Sequence, residues 1–277
     1  MITTIKGTTS AGVQNAISEI RHNLGAGSGM VFTLLVMASA QDVDEVMDAC
    51  LEAGREHPSR IILATDGSSR SDRMDAEIQI GEDIPGEVIT LKFHGEVAQH
   101  KASALLPLLL PDSPVIAWWP GEGPAHPSTD DIGVLASRRI TDAMGSEDPV
   151  AALVERACCL APGDTDLTWT RLTPWRALLA SALDRPRGTV LSAAVHADAN
   201  NAPGLLLAAW LRSRLGVEVT FDVNAGPGIT QVSLTTDEGE VSVTRTDGKM
   251  ATFSAPDSPT LAVALRRREV AALITEE

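Results

Sequence analysis

The sequence of 277 residues is poor in aromatic side chains, with no tyrosine, 4 phenylalanines and 5 tryptophans, together 3% of the chain. It has only 3 cysteines, too few for a disulfide framework. Basic residues are also scarce: 22 Lys and Arg stand against 37 Asp and Glu, a net charge of -15. Nucleic acids and anionic membranes are bound by clustered Lys and Arg, so this balance argues against both as partners.

Long apolar runs are missing as well, and no segment reaches the length of a membrane span. The first residues lack the basic and apolar regions of a signal peptide, so we expect a cytoplasmic protein. The composition, with 44% hydrophobic and 21% charged residues, is ordinary for a globular protein. The length suits one large domain or two domains of usual size.

Most active-site signatures are absent, including the P-loop, the G-x-S-x-G nucleophile turn and the H-E-x-x-H zinc motif. The glycine cluster at residues 25–29 has Met30 where a dinucleotide motif needs its third glycine, and it precedes a strand. The histidines are scattered. His94 and His100 flank a strand-to-helix turn, where a capping or solvated role is favoured over a general base. No catalytic, cofactor-binding or metal-binding residue is therefore predicted.

One loop leaves an alternative open. Gly67, Ser68, Ser69 and Arg70 follow a strand, and backbone donors with Arg70 could hold a phosphate there. No lysine or second glycine supports this interpretation, so a plain surface loop is favoured. The alternative function is a phosphosugar-binding enzyme or metabolite sensor.

The cysteines are predicted to be structural. Cys50 and Cys158 each fall on an apolar stripe with the i, i+3, i+4 spacing of an amphipathic helix. Both are therefore expected in the core, whereas Cys159 falls off that face and is expected to be more exposed. Adjacent cysteines also lack the spacing of zinc ligands.

The first half of the chain alternates helices with strands. Strands are predicted at residues 30–38, 60–65, 74–80, 87–93 and 115–119, and helices at residues 13–24 (closed by Gly25), 43–51, 97–109, 132–136 and 149–158. Residues 161–164 are the best candidate boundary. The predicted fold class is α/β with two domains, and the first, residues 1–161, has a mixed or largely parallel sheet with helices.

The second predicted domain, residues 162–277, is a smaller α+β domain with an antiparallel sheet. Helices are predicted at residues 173–183, 203–215 and 259–274, and strands at residues 189–195, 217–223, 229–235, 240–246 and 250–254. The turns at residues 226–228, 237–239 and 247–248 indicate hairpins between the four last strands.

Two adjacent tryptophans, Trp118 and Trp119, end the strand at residues 115–119 and precede a Pro-Gly turn. Neighbouring strand residues point to opposite faces. One tryptophan is thus expected to enter the core while the other faces outward at a contact surface; the alternative is that both are buried between two layers.

The segment at residues 162–176 combines acidic, aromatic and basic side chains. Asp164 and Asp166 are candidate metal ligands or arginine partners, with loop capping as the alternative. Trp169, Arg171 and Arg176 belong to residue types that are enriched at protein contacts. A partner interface and a structural contact between the domains both remain open for this segment.

Three blocks of the sequence carry a family resemblance. They are Leu-Pro-Leu-Leu-Leu-Pro-Asp-Ser-Pro-Val at 106–115 with Trp118 and Trp119, Arg-Arg-Ile-Thr-Asp at 138–142, and Asp-Thr-Asp-Leu-Thr-Trp-Thr-Arg at 164–171 with Trp175 and Arg176. In order and spacing the chain resembles the actinobacterial branch of the glucose-6-phosphate dehydrogenase assembly protein family, OpcA.

The resemblance implies a non-catalytic, cytosolic protein of two α/β domains. It implies assembly or allosteric activation of glucose-6-phosphate dehydrogenase, the NADP-linked entry to the oxidative pentose phosphate pathway, by protein contact. Redox control, associated with cyanobacterial relatives, is not carried over because the cysteines look structural. The oligomeric state stays open, as does the rival possibility of a purely structural subunit. The predicted partner-binding residues are Trp118, Trp119, Arg138, Arg139, Asp164, Asp166, Trp169, Arg171 and Arg176.

Overall fold

The computed structural model describes residues 1–24, 29–81, 84, 86–183, 188–245 and 247–277, and it divides into two compact units. The first unit comprises Met1–Ser146, Glu155–Thr165 and Val270–Glu277; the second comprises Glu147–Val154 and Asp166–Glu269. The division of the sequence into domains at residue 161 stays a prediction. No helix in the described part of the chain is both long and apolar enough to cross a membrane.

The larger sheet has eight strands in the order β1-β4-β5-β3-β2-β6-β7-β8. Its strands are β1 (Ile2–Thr8), β2 (Thr33–Met37), β3 (Ser59–Asp66), β4 (Arg73–Ile80), β5 (Gly86–His94), β6 (Val115–Trp119), β7 (Arg138–Thr141) and β8 (Asp164–Asp166). The five strands from β5 to β7 run parallel, while β4 is antiparallel to both of its neighbours, β1 and β5. The predicted, largely parallel sheet is confirmed.

The apolar pattern of each strand agrees with its position in the sheet. β2 and β3 are almost continuously buried, as strands covered on both faces must be, and β4 alternates between buried and half-buried residues. From β2 the chain builds β3 and β5 on one side, and it then returns to build β6 and β7 on the other. Such a reversal of strand order is a topological switch point, and it lies between β2 and β6.

Five α-helices lie wholly or partly in the first unit, and the two longest of them follow the predicted amphipathic pattern. They are α1 (Ser10–Leu24), α2 (Val43–Gly54), α3 (Lys101–Leu105), α4 (Pro149–Cys158) and α8 (Val270–Glu276), with 3-10 helices at Gly95–His100, Leu106–Leu108, Pro127–Thr129, Gly133–Leu135 and Ala143–Gly145. Val13 and Ile17 of α1 pack with Ile62 and Ile89 of the sheet in the main apolar cluster. α2 packs on β3 and also contacts α8.

The smaller sheet has six strands in the order β10-β9-β11-β12-β13-β14. Its elements are β9 (Val190–Ala197), β10 (Glu218–Val223), β11 (Ile229–Thr236), β12 (Gly239–Thr244), β13 (Met250–Ser254) and β14 (Leu261–Ala264), with helices α5 (Leu167–Arg171), α6 (Thr173–Leu183) and α7 (Ala202–Leu215). Only β9 and β10 pair in parallel, so the predicted, mostly antiparallel sheet is confirmed.

Helix α7 begins and ends close to the predicted residues 203–215, and both of its ends are capped. Asn201 accepts a hydrogen bond from the Gly204 N–H at 2.7 Å, and Pro203 occupies the first turn. Gly216 ends the helix with φ +67°, a left-handed conformation that favours glycine.

Three element predictions were wrong. The helix at residues 97–109 is broken into α3 and two 3-10 turns, because Pro107 cannot continue an α-helix. The final helix at residues 259–274 is strand β14 followed by α8. The turn at residues 226–228 is not a hairpin, because β9 lies between β10 and β11. Strand β1 was not predicted, and Gly25 and Thr246 lie outside the described residues.

The cysteine prediction holds for one of its two core residues. Cys50 is fully buried, but Cys158 is exposed and Cys159 is half-buried. Of the predicted apolar positions of α4, Leu153 alone is buried, and the other buried residue of this helix is Arg156. The Arg156 guanidinium donates to the Gly123 carbonyl and to the Ser146 hydroxyl, both at 3.3 Å, so polar contacts orient this part of the helix.

Candidate functional site

A cavity of about 550 Å³ opens at the carboxyl ends of β2, β3 and β6. We call it the switch-point cavity, because β2 and β6 flank the reversal of strand order. Met37 and Ala38 of the β2 end, Asp66 of β3 and Trp119 of β6 all line it. Open α/β sheets bind their ligands at this place in the fold.

The lining of the switch-point cavity is acidic. Its charged residues are one lysine, Lys101, and five carboxylates, Asp42, Asp66, Glu122, Asp130 and Asp131. The Lys101 Nζ lies 2.7 Å from Asp66 Oδ1, so the single positive charge is already paired. Asp130 Oδ1 accepts from the N–H groups of Ile132 and Gly133 at 2.9 and 3.2 Å, as a turn cap does. The field in this cavity opposes phosphate groups.

The turn from β2 into α2 lacks a phosphate cradle. Residues 38–42, Ala-Ser-Ala-Gln-Asp, contain no glycine that would let a pyrophosphate approach the backbone. Asp42 precedes α2 and accepts from the Ser39 hydroxyl at 2.6 Å, and Asp44 and Glu45 lie in the first turn of the helix. These carboxylates neutralise the positive end of the helix dipole, which would otherwise attract an anion.

His94 is the only buried histidine of the described residues, and its two ring nitrogens both have partners. Nδ1 accepts from the Ser69 N–H at 3.2 Å, and Nε2 lies 3.1 Å from Asp75 Oδ2. Gly67 lies flat against the ring, where a Cβ would come within 2.0 Å of the imidazole. His94 is thus a buried structural residue, and the expectation of a solvated or capping role was wrong.

Asp75 collects hydrogen bonds from three strands. The Gly7 N–H of β1 donates to it at 2.8 Å, Arg73 of β4 at 3.2 Å, and His94 of β5 faces it. The Gly7 bond, followed by the Arg73 and His94 contacts, holds the pKa of Asp75 below its ordinary value, although burial opposes the shift.

In the loop proposed for phosphate, the Ser69 side chain is already hydrogen-bonded within the protein. The hydroxyls of Ser69 and Ser71 lie 2.8 Å apart, and Arg73 Nη1 donates to both of them, at 3.1 and 2.6 Å. Ser68 and Arg70 are exposed. The plain surface loop and the phosphate-binding alternative therefore both stay predictions for this segment.

Both tryptophans of β6 are buried, Trp118 at 0% and Trp119 at 5% exposure. The expectation that one of them faces outward was wrong, because both faces of the sheet are covered at this end of β6, so that neighbouring side chains pointing to opposite faces are both buried. Trp119 belongs to the main apolar cluster and lines the switch-point cavity. The Trp118 Nε1 has no hydrogen-bond partner among the described residues.

Arg139 and Asp164 form a buried ion pair in the first unit, with side chains 9% and 5% exposed. Arg139 also donates to the carbonyls of Ala136 and Pro162, at 2.8 and 2.5 Å, so it ties β7 to the segment before β8. Asp164 is thus an arginine partner. The neighbouring Arg138 is exposed and pairs with Glu277 at 2.7 Å, a contact that no pattern in the sequence predicts.

The second unit brings together the remaining predicted residues. The Arg176 guanidinium lies 3.6 Å from the centroid of the Trp169 ring, in a cation–π stack. Arg176 also donates to the Thr173 hydroxyl at 3.0 Å. Asp166 caps α5 through the Thr168 N–H at 2.9 Å, and Arg171 is half-buried in the last turn of that helix. Trp169 and Arg176 are half-buried too.

Metal binding finds no support in the geometry. In residues 1–24, 29–81, 84, 86–183, 188–245 and 247–277, no three His, Cys, Asp or Glu side chains are placed to hold an ion. Sequence reasoning missed the cavity residues Asp42, Lys101 and Asp130, because they come from three separate segments of the chain that only the fold brings together.

The fold and the cavity define a class: an α/β protein with a doubly wound parallel core whose ligand-binding edge is acidic and has no phosphate loop. Two family models match the chain, one in each half. Residues 51–158 match the glucose-6-phosphate dehydrogenase subunit N-terminal domain, and residues 162–277 match the corresponding C-terminal domain. The chain belongs to the glucose-6-phosphate dehydrogenase assembly protein family, OpcA.

Similar proteins were found at two levels. A protein of Synechocystis sp. described as an OxPP cycle protein OpcA is 27% identical over 142 residues, which are 47% of this chain and 29% of that protein. The chain thus matches less than a third of this relative's length. A 3-ketoreductase from Actinomadura kijaniata with NADP and TDP-benzene has a TM-score of 0.47 and 13% identity, covering 88% of this chain and 87% of that one.

An oxidoreductase from Sinorhizobium meliloti has a TM-score of 0.48 and 8% identity, covering 84% of this chain and 78% of that one. Similarities at this level do not bear on function.

Proposed function

We propose that this chain is a non-catalytic assembly factor and allosteric activator of glucose-6-phosphate dehydrogenase, acting by protein contact. Membership in the assembly family supports the proposed association with the dehydrogenase. The observation that carries the non-catalytic part is the acidic switch-point cavity. A dehydrogenase must bind the pyrophosphate of its cofactor at this edge, and here Asp42, Asp44 and Glu45 surround the start of α2.

The side chains available for partner contact are fewer than the sequence indicated. Arg138 is exposed, and Trp169, Arg171 and Arg176 are half-buried. The Trp169–Arg176 stack is already formed, so little side-chain entropy is lost when a partner covers it. We assign Arg138 in the first unit, and Trp169, Arg171 and Arg176 in the second unit, to partner contact in the first instance. Trp118, Trp119, Arg139 and Asp164 are buried within the first unit and are not assigned to it.

The deciding experiment uses the dehydrogenase of the same organism, assayed with and without this chain over a range of glucose 6-phosphate concentrations. We expect no hydride transfer from the chain alone and a higher kcat/KM of the dehydrogenase when the chain is added. Unchanged kinetics at saturating chain would contradict activation. A stable complex with unchanged kinetics would instead indicate a purely structural subunit.

The alternative, a phosphosugar-binding enzyme or metabolite sensor, makes a different prediction. It requires saturable binding of a sugar phosphate by the isolated chain near Ser68, Ser69 and Arg70. Calorimetry with glucose 6-phosphate tests this directly, and Arg70→Ala is the matched variant because Arg70 is exposed and can be removed without disturbing the core.

A further inference from the structure

One whole face of the smaller sheet is left without a covering layer within its unit. Helices α6 and α7 pack on the other face, where Trp175, Leu179, Leu207 and Leu211 meet the apolar residues of the strands. Strand register places the alternate residues together on the open side. We call this side the outer face; its residues are Ser192, Ala194, His196, Glu218, Thr220, Asp222, Gln231, Ser233, Thr235, Glu240, Ser242, Thr244, Met250, Thr252, Ser254, Ala262 and Ala264.

The outer face has an uncharged centre. Serine, threonine and alanine side chains predominate, and no Lys or Arg occurs among the residues just named. Its acids lie at the margins: Glu218 and Asp222 are on the edge strand β10, and Glu240 is at the start of β12. Solvent-facing sheet surfaces usually carry interspersed charges of both signs, so a neutral centre is unusual in a chain with a net charge of -15.

The size of the outer face suits a protein contact. Six strands spaced about 4.8 Å apart, each rising about 3.3 Å per residue, give a flat projection on the order of 500 Å². A standard interface buries about 800 Å² of accessible surface per partner, and side-chain relief raises accessible area above the flat projection. Small hydroxyl side chains also allow another backbone to approach closely and offer adaptable hydrogen bonds.

Charge indicates what kind of partner covers this face. A second copy of the chain carries the same net charge of -15 and the same acidic margin, so its approach is opposed by repulsion. A different protein with a neutral, flat centre and a basic margin is attracted instead. On this acidic margin, His196 Nδ1 lies 3.8 Å from Asp222 Oδ2.

We infer that the outer face is a second contact surface for glucose-6-phosphate dehydrogenase, which rests on the proposed function. It is separate from the Trp169–Arg176 stack, since α5 and α6 lie on the helix-covered side of the same sheet.

The test places an arginine at the centre of the outer face. Ser233 lies on β11 between Ala194 and Ser242, so Ser233→Arg projects a long cation where close approach is needed. Thr252→Arg is a second variant at an exposed position of β13, and Thr4→Arg, on the exposed edge strand β1, is the matched control. Surface substitutions rarely change stability by more than about 0.5 kcal/mol, so all three variants should melt like the unaltered chain.

Affinity for the dehydrogenase is measured by calorimetry, and the mass of the chain alone by sedimentation. We expect Ser233→Arg and Thr252→Arg to bind at least tenfold more weakly, and Thr4→Arg to bind normally. Normal binding by folded Thr252→Arg and Ser233→Arg would overturn the inference and leave the proposed function intact. Absence of binding by the unaltered chain would defeat the proposed function itself. Dissociation of copies of this chain by the two variants would show that a second copy covers the face.

Discussion

Adjacent residues in this chain can have opposite environments, and Arg138 and Arg139 are the clearest case. Arg139 is buried against Asp164, whereas the Arg138 side chain is 47% exposed and pairs with Glu277 at the surface. The type of residue suggested a contact role for both. Only burial separates the arginine that holds two segments together from the one that is available to a partner.

This difference predicts unequal effects on stability. Arg139→Ala leaves the Asp164 carboxylate buried without its cation, which costs about 3–5 kcal/mol. Arg138→Ala removes an exposed pair and costs about 1 kcal/mol or less. Urea unfolding of both variants measures the difference, and equal destabilisation would show that the burial of Arg139 is unimportant.

Burial also determines which cysteines we expect to react. Burial raises the pKa of the Cys50 thiol to about 12, so almost no thiolate exists at neutral pH, while Cys158 is exposed. With iodoacetamide at about pH 8, we expect Cys158 to be alkylated and Cys50 to react only after unfolding. Peptide mass spectrometry with and without denaturant makes the comparison, and labelling of native Cys50 would contradict the buried position of α2.

At the scale of elements, hydrogen bonds to Asp75 connect β1, β4 and β5. Because the folded pKa of Asp75 is lowered, the charged carboxylate stabilises the fold above the unfolded pKa of about 3.9, and this stabilisation is lost as the pH falls through the lower folded value. Asp75→Asn should therefore cost about 1–2 kcal/mol at pH 6 and less below about pH 4. Unfolding measured at both pH values checks this; a difference independent of pH would assign the cost to packing alone.

The sequence was sufficient for elements whose signal is local. The alternation at residues 74–80 and the continuous apolar run of β3 appear as predicted, because side-chain periodicity reports directly which faces are covered. Elements decided by distant partners were missed. β14 depends on pairing with β13, and β1 depends on β4. Neither pairing can be recognised from the residues of the segment itself.

The whole molecule explains why the candidate site was only partly predictable. Trp118 and Trp119 alternate as expected, but whether the second face of β6 is open depends on helices and strands far away in sequence. The acidic switch-point cavity likewise joins residues from positions 37–145. The pairing of Asp164 with an arginine was among the predicted roles, because an acid beside aromatic and basic residues has few other uses in a chain without metal motifs.

For the whole molecule, substitutions in the Trp169–Arg176 stack test which surface contacts the dehydrogenase. Trp169 is half-buried and cradles a cation, while Trp175, six residues on, is 3% exposed and sits in the apolar cluster of the smaller sheet. Trp169→Ala should weaken dehydrogenase binding by about 2 kcal/mol, roughly 30-fold, because aromatic and arginine anchors carry most interface energy. Trp175→Ala should instead cost about 3–5 kcal/mol of folding stability.

Melting temperature and dehydrogenase affinity measured on both variants separate these effects. Arg176→Ala serves as the partner control: if Trp169 and Arg176 act as one stacked unit, the double variant should bind hardly more weakly than Trp169→Ala alone. Normal affinity of the folded Trp169→Ala, Arg176→Ala and double variants would show that the contact does not lie on the helix side of the smaller sheet. We would then look for the contact on the outer face, and Ser233→Arg would become the deciding variant.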